Sequence, residues 1–319
     1  VAVPIPTVID ARKYEMTVGR KSRSGMQKME QSWGILLALP AILGFFIFTI
    51  GPVVASFGIS LTDWNIYGDS SYIGLDNYRE MLTKDDLFRK SLGVTLMYAS
   101  ISVPLTMLVA FSVAILLNQN VIGKSIFRTV FYLPVLVPVI ANTILWLWLF
   151  NPEFGLLNTI LEAIGLPASQ WIYSSDTAVL SLAVMGAWGF GNGAIIFLAG
   201  LQGVPSHLYE AVSIDGGGVW RKLRDVTIPM MTPTILFNLI MGLIGAFQTF
   251  SEAYVMTNGG PSNSTLFYVY YLYRTAFTES RMGYASALAW LLFLVIIMVT
   301  LIVFRTARHW VYYESEGQS

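Results

Sequence analysis

Apolar residues in this chain gather into long runs. Six stretches contain no Asp, Glu, Lys or Arg: Gln31–Thr62, Ser91–Gly123, Thr129–Pro152, Thr177–Tyr209, Val226–Ser251 and Met282–Phe304. The shortest holds 23 residues, and about 20 apolar residues carry a helix across the hydrocarbon core of a bilayer. A soluble protein can bury one helix of this kind. Six predict an all-α, polytopic membrane protein with six transmembrane helices. The intervals predict loops. Residues 60–90 carry Asp63, Asp69, Asp76, Glu80, Asp85 and Asp86, with an extended aromatic stretch from Trp64 to Tyr78 that implies partial order. Residues 151–176 predict a second loop with a short apolar helix near Leu156–Ile164. After the turn Asn258-Gly-Gly-Pro261, the segment Ser264–Phe277 is too short and too rich in tyrosine (268, 270, 271, 273) to span, and predicts an interfacial helix. No tandem repeat is evident.

Composition agrees. The chain is 55% hydrophobic and 12% charged, against about 25% charged in soluble domains. With no cysteine, disulfides, thiolate metal sites and thiol nucleophiles are excluded. Net charge is zero, which gives no argument for nucleic acid. The first run follows roughly 30 polar residues and exceeds a signal-peptide core, so it predicts a span rather than a cleaved leader.

Charge placement orients the spans. The N-terminal tail (Arg12, Lys13, Arg20, Lys21, Arg23, Lys28), the second and fourth loops (Lys124, Arg128, Arg221, Lys222, Arg224) and the C-terminus (Arg305, Arg308) hold 13 Lys and Arg. The other side holds 6: Arg79, Lys84, Arg89, Lys90, Arg274 and Arg281. The positive-inside rule then puts both termini in the cytoplasm. The plan is a cytoplasmic tail over residues 1–30 and a six-span domain over 31–319, with a cytoplasmic loop at 207–230.

Two apparent nucleotide motifs fail on context. Gly189, Gly191 and Ala194 match a dinucleotide fingerprint but lie within an apolar run, where Gly189 and Gly193 suit close helix packing instead. Gly123-Lys124-Ser125 resembles the end of a phosphate loop, but Asn118 stands where its first glycine is needed. Any ATP must be bound by another chain.

The fourth loop, Glu210–Pro229, predicts two short helices broken at Gly216–Gly218 and closed by Pro229, a mixed polar and apolar surface suited to a soluble partner. It resembles the signature loop of binding-protein-dependent ABC importer permeases, E-A-A-x3-G-x9-I-x-L-P: Glu210-Ala211-Val212, Asp215-Gly216, then Val226, Ile228 and Pro229 stand at the family spacing. The resemblance implies a bacterial inner-membrane, multi-pass permease with no catalytic residues, metal or cofactor of its own. ATP and Mg would be bound by two partner ATPase subunits, whose groove receives this loop. Glu210 would contact the ATPase and Gly216 would allow the turn. A second homologous permease and an external solute-binding protein complete the implied assembly.

Phe250–Pro261 and Ile73-Gly-Leu-Asp-Asn-Tyr78 are similar to segments of oligosaccharide permeases of the maltose, raffinose and glycerol-phosphate type, and imply an oligosaccharide solute. In that group sugar contacts come from the fourth and fifth core helices, which correspond here to Trp188, Gly189, Asn192, Ala246 and Thr249. Ala246 and Gly245 replace a polar and an aromatic residue of the maltose permease, implying a wider or differently shaped path. From the residues alone, Gln248, Thr249 and Glu252 offer hydrogen bonds to a polyhydroxylated solute, and Ala246, Thr249, Ala253 and Met256 recur at helical spacing on one face. Glu252 is the sole acid between Val226 and Tyr273, and an ionisable group at membrane depth points to function. It keeps an ion-coupled secondary transporter open as an alternative, beside a sensor or scaffold using the loop without transport. An acidic-sugar or polyol-phosphate cargo also stays open, although no Lys or Arg lies in any span.

Overall fold

The computed structural model describes residues 25–68, 70–119 and 122–312. Of the basic tail, Arg12, Lys13, Arg20, Lys21 and Arg23 therefore lie outside the described residues, as does Asp69. The chain forms two compact units, Val1–Ser56 and Phe57–Ser319. α1 (Gly25–Phe45) passes through a π turn, Phe46–Ile50, into α2 (Gly51–Ser60), whose last four residues belong to the second unit. The π turn ends just before Pro52, whose missing N–H withdraws a donor from the helix ladder.

The second unit carries α3 (Asp76–Thr83), α4 (Asp86–Asn118), α5 (Lys124–Leu136), α6 (Val139–Leu149), α7 (Leu156–Ala163), α8 (Ala178–Trp188), α9 (Gly191–Gln202), α10 (Ser206–Ile214), α11 (Val219–Lys222), α12 (Ile228–Phe247), α13 (Tyr268–Tyr273) and α14 (Met282–Ala307). Among the described residues the fold is all-helical, apart from one isolated antiparallel bridge between Thr62 and Tyr72.

By length and composition, four helical stretches could cross a membrane: Ser32–Ser60, Asp86–Asn118, Val219–Phe247 and Met282–Ala307. Two bent pairs raise the number to six if each is one span. The runs Thr129–Pro152 and Thr177–Tyr209, read in sequence as single helices, are these broken pairs. α5 and α6 meet at 94° because Pro138 restricts the preceding residue to extended backbone, and Val137 sits at φ −73°, ψ 127°. α8 and α9 meet at 51° at Gly189, which leaves helical ψ.

α4 is the hub and packs along α8, α9 and α12. Its inward face mixes small and hydroxylated residues (Ser91, Thr95, Ala99, Ser102, Ala110, Ala114) with a few large ones, while Leu96, Leu108 and Leu116 point outward. Large apolar residues outside and small polar ones inside is the arrangement of helices that associate in lipid. Its glycine-rich partners come close: a Cβ at Gly193 would lie 3.3 Å from the Ala110 Cβ, and one at Gly242 would lie 3.1 Å from Val103.

The tyrosine-rich segment departs from the interfacial helix expected of it. α13 docks into the core, with Phe267 and Tyr268 wholly buried. The Tyr268 N–H donates to Thr95 Oγ1 at 2.9 Å and its hydroxyl to the Leu288 carbonyl at 2.9 Å. Burial of Tyr268 is tolerated because its hydroxyl finds an acceptor. Asp85 does the same for Tyr271 and Tyr284. It caps α4 by accepting from the Phe88 N–H at 2.9 Å, and its second oxygen accepts from the hydroxyls of Tyr271 and Tyr284. Burial first, then the hydrogen bond to Asp85, raises the Tyr271 phenol above its ordinary range, so it stays a donor. One carboxylate thus ties the start of α4 to α13 and α14.

Gly283 at the start of α14 receives the chain entering from the Thr62–Trp64 segment. Its N–H donates to the Trp64 carbonyl at 2.9 Å, and an added Cβ would stand 2.0 Å from the Thr62 carbonyl oxygen. Backbone cannot yield as a side-chain tip can. Gly283→Ala is expected to destabilise the protein by about 3 kcal/mol, read as a lower midpoint of thermal unfolding in detergent.

Candidate functional site

A cavity of about 640 Å³ opens between α4, the α8–α9 break and α12. α4 contributes Tyr98, Ser102 and Thr106, one helical turn apart. The break contributes Gly186, Gly189, Asn192 and Gly193, and α12 contributes Asn238, Met241, Gly242 and Gly245. Thr249 and Glu252, just beyond α12, close one end. The break matters for the site: ending α8 at Trp188 and restarting at Gly191 places glycine backbone and the Asn192 side chain at the wall. Tyr98, Ser102, Thr249 and Glu252 line the same cavity. Among the lining residues Glu252 is the single carboxylic acid, and no Lys or Arg joins it.

Of the path residues expected from sequence, the cavity brings together Gly189, Asn192, Thr249 and Glu252, with Gly245 and Ala246 beside them. Trp188 and Gln248 are not in its lining. Trp188 is half-exposed and sets its ring edge-on to Trp146 at 6.2 Å, and Gln248 is an exposed C-cap of α12. The helical face drawn through Ala246, Thr249, Ala253 and Met256 is also revised. α12 stops at Phe247, so Thr249 faces the cavity while Ala253 and Met256 are buried on a separate π turn, Ala253–Thr257. Tyr98, Ser102, Thr106 and Asn238 were missed. A hydroxyl every fourth residue of α4 was the signal available.

The second feature is the loop around Gly216. α10 ends in a Schellman motif: Gly216 takes φ +73°, its N–H donates to Ser213 O at 3.1 Å, and the Gly217 N–H donates to Val212 O at 2.8 Å. Gly217 has no room for a side chain, since a Cβ would fall 2.4 Å from Val212 Cγ1. The turn projects Ile214, Val219 and Trp220 at 86%, 84% and 74% exposure. Glu210, Ala211 and Asp215 are exposed beside them, and Arg221 pairs with Asp225 at 3.4 Å. Three large apolar side chains are thus left exposed around one turn. The second helix is not closed by Pro229, as the sequence suggested. α11 runs through a π turn, Leu223–Thr227, straight into α12, and Pro229 sits in the first turn of α12. The π turn absorbs the donor that Pro229 lacks.

Apolar helices, two of them bent pairs, around a cavity that sets hydroxyl, amide and carboxyl groups in a largely apolar wall, and bearing an apolar-tipped loop, define a multi-pass membrane transport component rather than an enzyme. The chain belongs to the family of binding-protein-dependent transport system inner membrane components, whose family model matches residues 102–310. A probable ABC transporter permease protein of Bacillus subtilis, YesP, is 38% identical over 303 residues, covering 94% of this chain and 97% of that protein. The arabinooligosaccharides transport system permease protein AraP of Bacillus subtilis is 32% identical, covering 84% of this chain and 86% of that one. In fold the chain is similar to a chain of the crystallised bacterial alginate ABC transporter in complex with an alginate pentasaccharide-bound periplasmic protein. The TM-score is 0.73 at 21% identity, over 88% of this chain and 96% of that chain. The protein is an inner-membrane, multi-pass permease.

Proposed function

We propose that this chain is one permease subunit of an ATP-driven importer for an oligosaccharide. It spans six times, counting each bent pair once, with both termini cytoplasmic, residues 1–30 as a tail and 31–319 as the membrane domain. A second homologous permease completes the path, an external binding protein delivers the solute, and two ATPase subunits bind ATP and Mg. The observation that carries this is the apolar tip on the Gly216 turn. It lies on the side that the Lys and Arg distribution assigns to the cytoplasm, where an ATPase groove would receive it. Glu210, Ala211, Asp215 and Gly216 present the tip, and Pro229 starts the helix through which its movement reaches the cavity wall.

In the cavity, Gly189, Asn192, Thr249 and Glu252 are the solute contacts, and Trp188 and Gln248 flank the path at its edge. An oligosaccharide fits the hydroxyl and amide groups set in the otherwise apolar, cation-free lining and the name of the relative AraP. A neutral sugar is favoured over a uronate or phosphate, because the lining holds an acid and no base that could pair with an anionic cargo. The ion-coupled alternative for Glu252 is not favoured in a binding-protein-dependent family. Vesicles holding the full assembly discriminate the two: uptake that follows ATP and persists after the membrane gradient is collapsed supports the importer, and uptake that follows the gradient overturns it.

Gly245 gives a sharper test of the path. A Cβ there meets nothing within 4 Å, and replacing glycine favours the helix by about 0.8–1.0 kcal/mol at most. Gly245→Trp is therefore expected to keep the unfolding midpoint while blocking oligosaccharide uptake. Unchanged uptake would place the path elsewhere.

A further inference from the structure

Apart from Ser112, which is exposed, the Ser and Thr hydroxyls of α4 fall into two sets. Ser91, Thr95 and Ser100 donate back to carbonyls of their own helix, to Phe88 O, Ser91 O and Met97 O at 2.8–2.9 Å. This is the ordinary fate of Ser and Thr in an apolar helix. Ser102 and Thr106 do not follow it: among the described residues neither donates to a backbone carbonyl. Both face the cavity, one turn apart and in line with Tyr98. Across from them the Asn192 side chain likewise has no hydrogen-bond partner within the described chain. Gly186 makes the room, since a Cβ there would lie 2.8 Å from the Tyr98 hydroxyl and 3.0 Å from Ser102 Oγ.

We infer that α4 reads the solute, with Tyr98, Ser102 and Thr106 forming a row of hydroxyls that matches the hydroxyls of a neutral saccharide lying along the helix, opposite Asn192. The proposal rests on the cavity being the solute path and adds the helix that sets specificity. The spacing supports it. Residues four apart rise about 6 Å along a helix, so three such groups present donors and acceptors over about 12 Å. A hydroxyl is both donor and acceptor, which suits a sugar whose hydroxyls are both. A saccharide positioned there would meet the Tyr98 ring and the Thr249 and Glu252 groups at one end and Asn238 farther down α12.

Because the chain has no cysteine, single cysteines report the row directly. Ser102→Cys, Thr106→Cys and Asn192→Cys are placed in the assembled complex, with Leu108→Cys, 66% exposed on the outer face of α4, as the lipid-facing control. A charged, water-soluble thiol reagent is applied with and without the sugar, taken as whichever of arabinotriose, maltotriose and cellotriose stimulates ATP hydrolysis. Labelling at 102 and 106 but not 108, slowed roughly fivefold by the sugar, is the expected result. Labelling and protection at 192 alone would overturn the role of α4 and leave the path in place. No labelling at 102, 106 or 192 would overturn both. Thr106→Val and Tyr98→Phe, which keep shape and remove one hydrogen-bonding function each, are expected to alter the ratio of uptake among the three sugars. An equal fall for all three would mark a merely structural role.

Discussion

An importer carrying Gly216→Val is expected to lose uptake and solute-stimulated ATP hydrolysis while the subunit remains folded in the membrane. Gly216 is left-handed at φ +73°, where a β-branched residue costs about 1–2 kcal/mol or more. Both turn hydrogen bonds, from Gly216 N–H to Ser213 O and from Gly217 N–H to Val212 O, depend on that conformation. The strain is relieved by opening the turn, since the loop is exposed and little else holds it. Opening re-aims Ile214, Val219 and Trp220, the groups proposed to enter the ATPase. The bulkier Gly216→Trp and the charge reversal Glu210→Lys should act in the same direction. Gly218→Ala is the control: its φ is −78° and a Cβ there meets nothing within 4 Å, so uptake should be near normal. Solute-dependent ATP hydrolysis at the wild-type rate in both Gly216 variants and in Glu210→Lys would refute the coupling role.

Asp85→Ala should give the largest loss of stability. The substitution removes the cap of a 33-residue helix, worth about 1 kcal/mol. It also strands the hydroxyls of Tyr271 and Tyr284, both buried, at about 1–3 kcal/mol each. A loss of about 3 kcal/mol or more is expected, read as a fall in the thermal midpoint by tryptophan fluorescence in detergent. Asp85→Asn keeps an acceptor for the cap and should fall between. Tyr271→Phe and Tyr284→Phe should each cost less in the Asp85→Ala background than alone, because their shared partner is already gone. Full additivity would mean that the three elements are held together by packing and not by this carboxylate.

These two sites differ in how far they could be read from the chain. Gly216 was legible because turn chemistry is local: a glycine with an acid before it and a helix either side specifies a left-handed cap wherever it occurs. Asp85 was counted only as one of six acids in a loop. Its partners lie 186 and 199 residues away, and no local pattern joins them. The tyrosine segment was placed at an interface for the same reason: amphipathic tyrosine suits a bilayer surface, and only the acceptors at Leu288 and Asp85 make the core an equally good place for it. Trp188 was placed on the path by resemblance and Gln248 by its hydrogen-bonding groups, yet α8 ends at Trp188 and α12 at Phe247, and only Gly189 and Thr249 of these pairs line the cavity.

The sequence by itself determined an all-helical membrane protein, its apolar runs, the sharp turn at Gly216 and the family, because hydropathy and turn chemistry act over a few residues to a few turns. Only the tertiary structure decided that two runs are bent pairs, that α11 flows into the helix behind it, and which polar residues share a cavity. Those outcomes depend on the face each helix turns toward its neighbours. In lipid that face is chosen by the fit of small residues such as Gly186, Gly193 and Ala110 across several helices, a relation between distant parts of the chain.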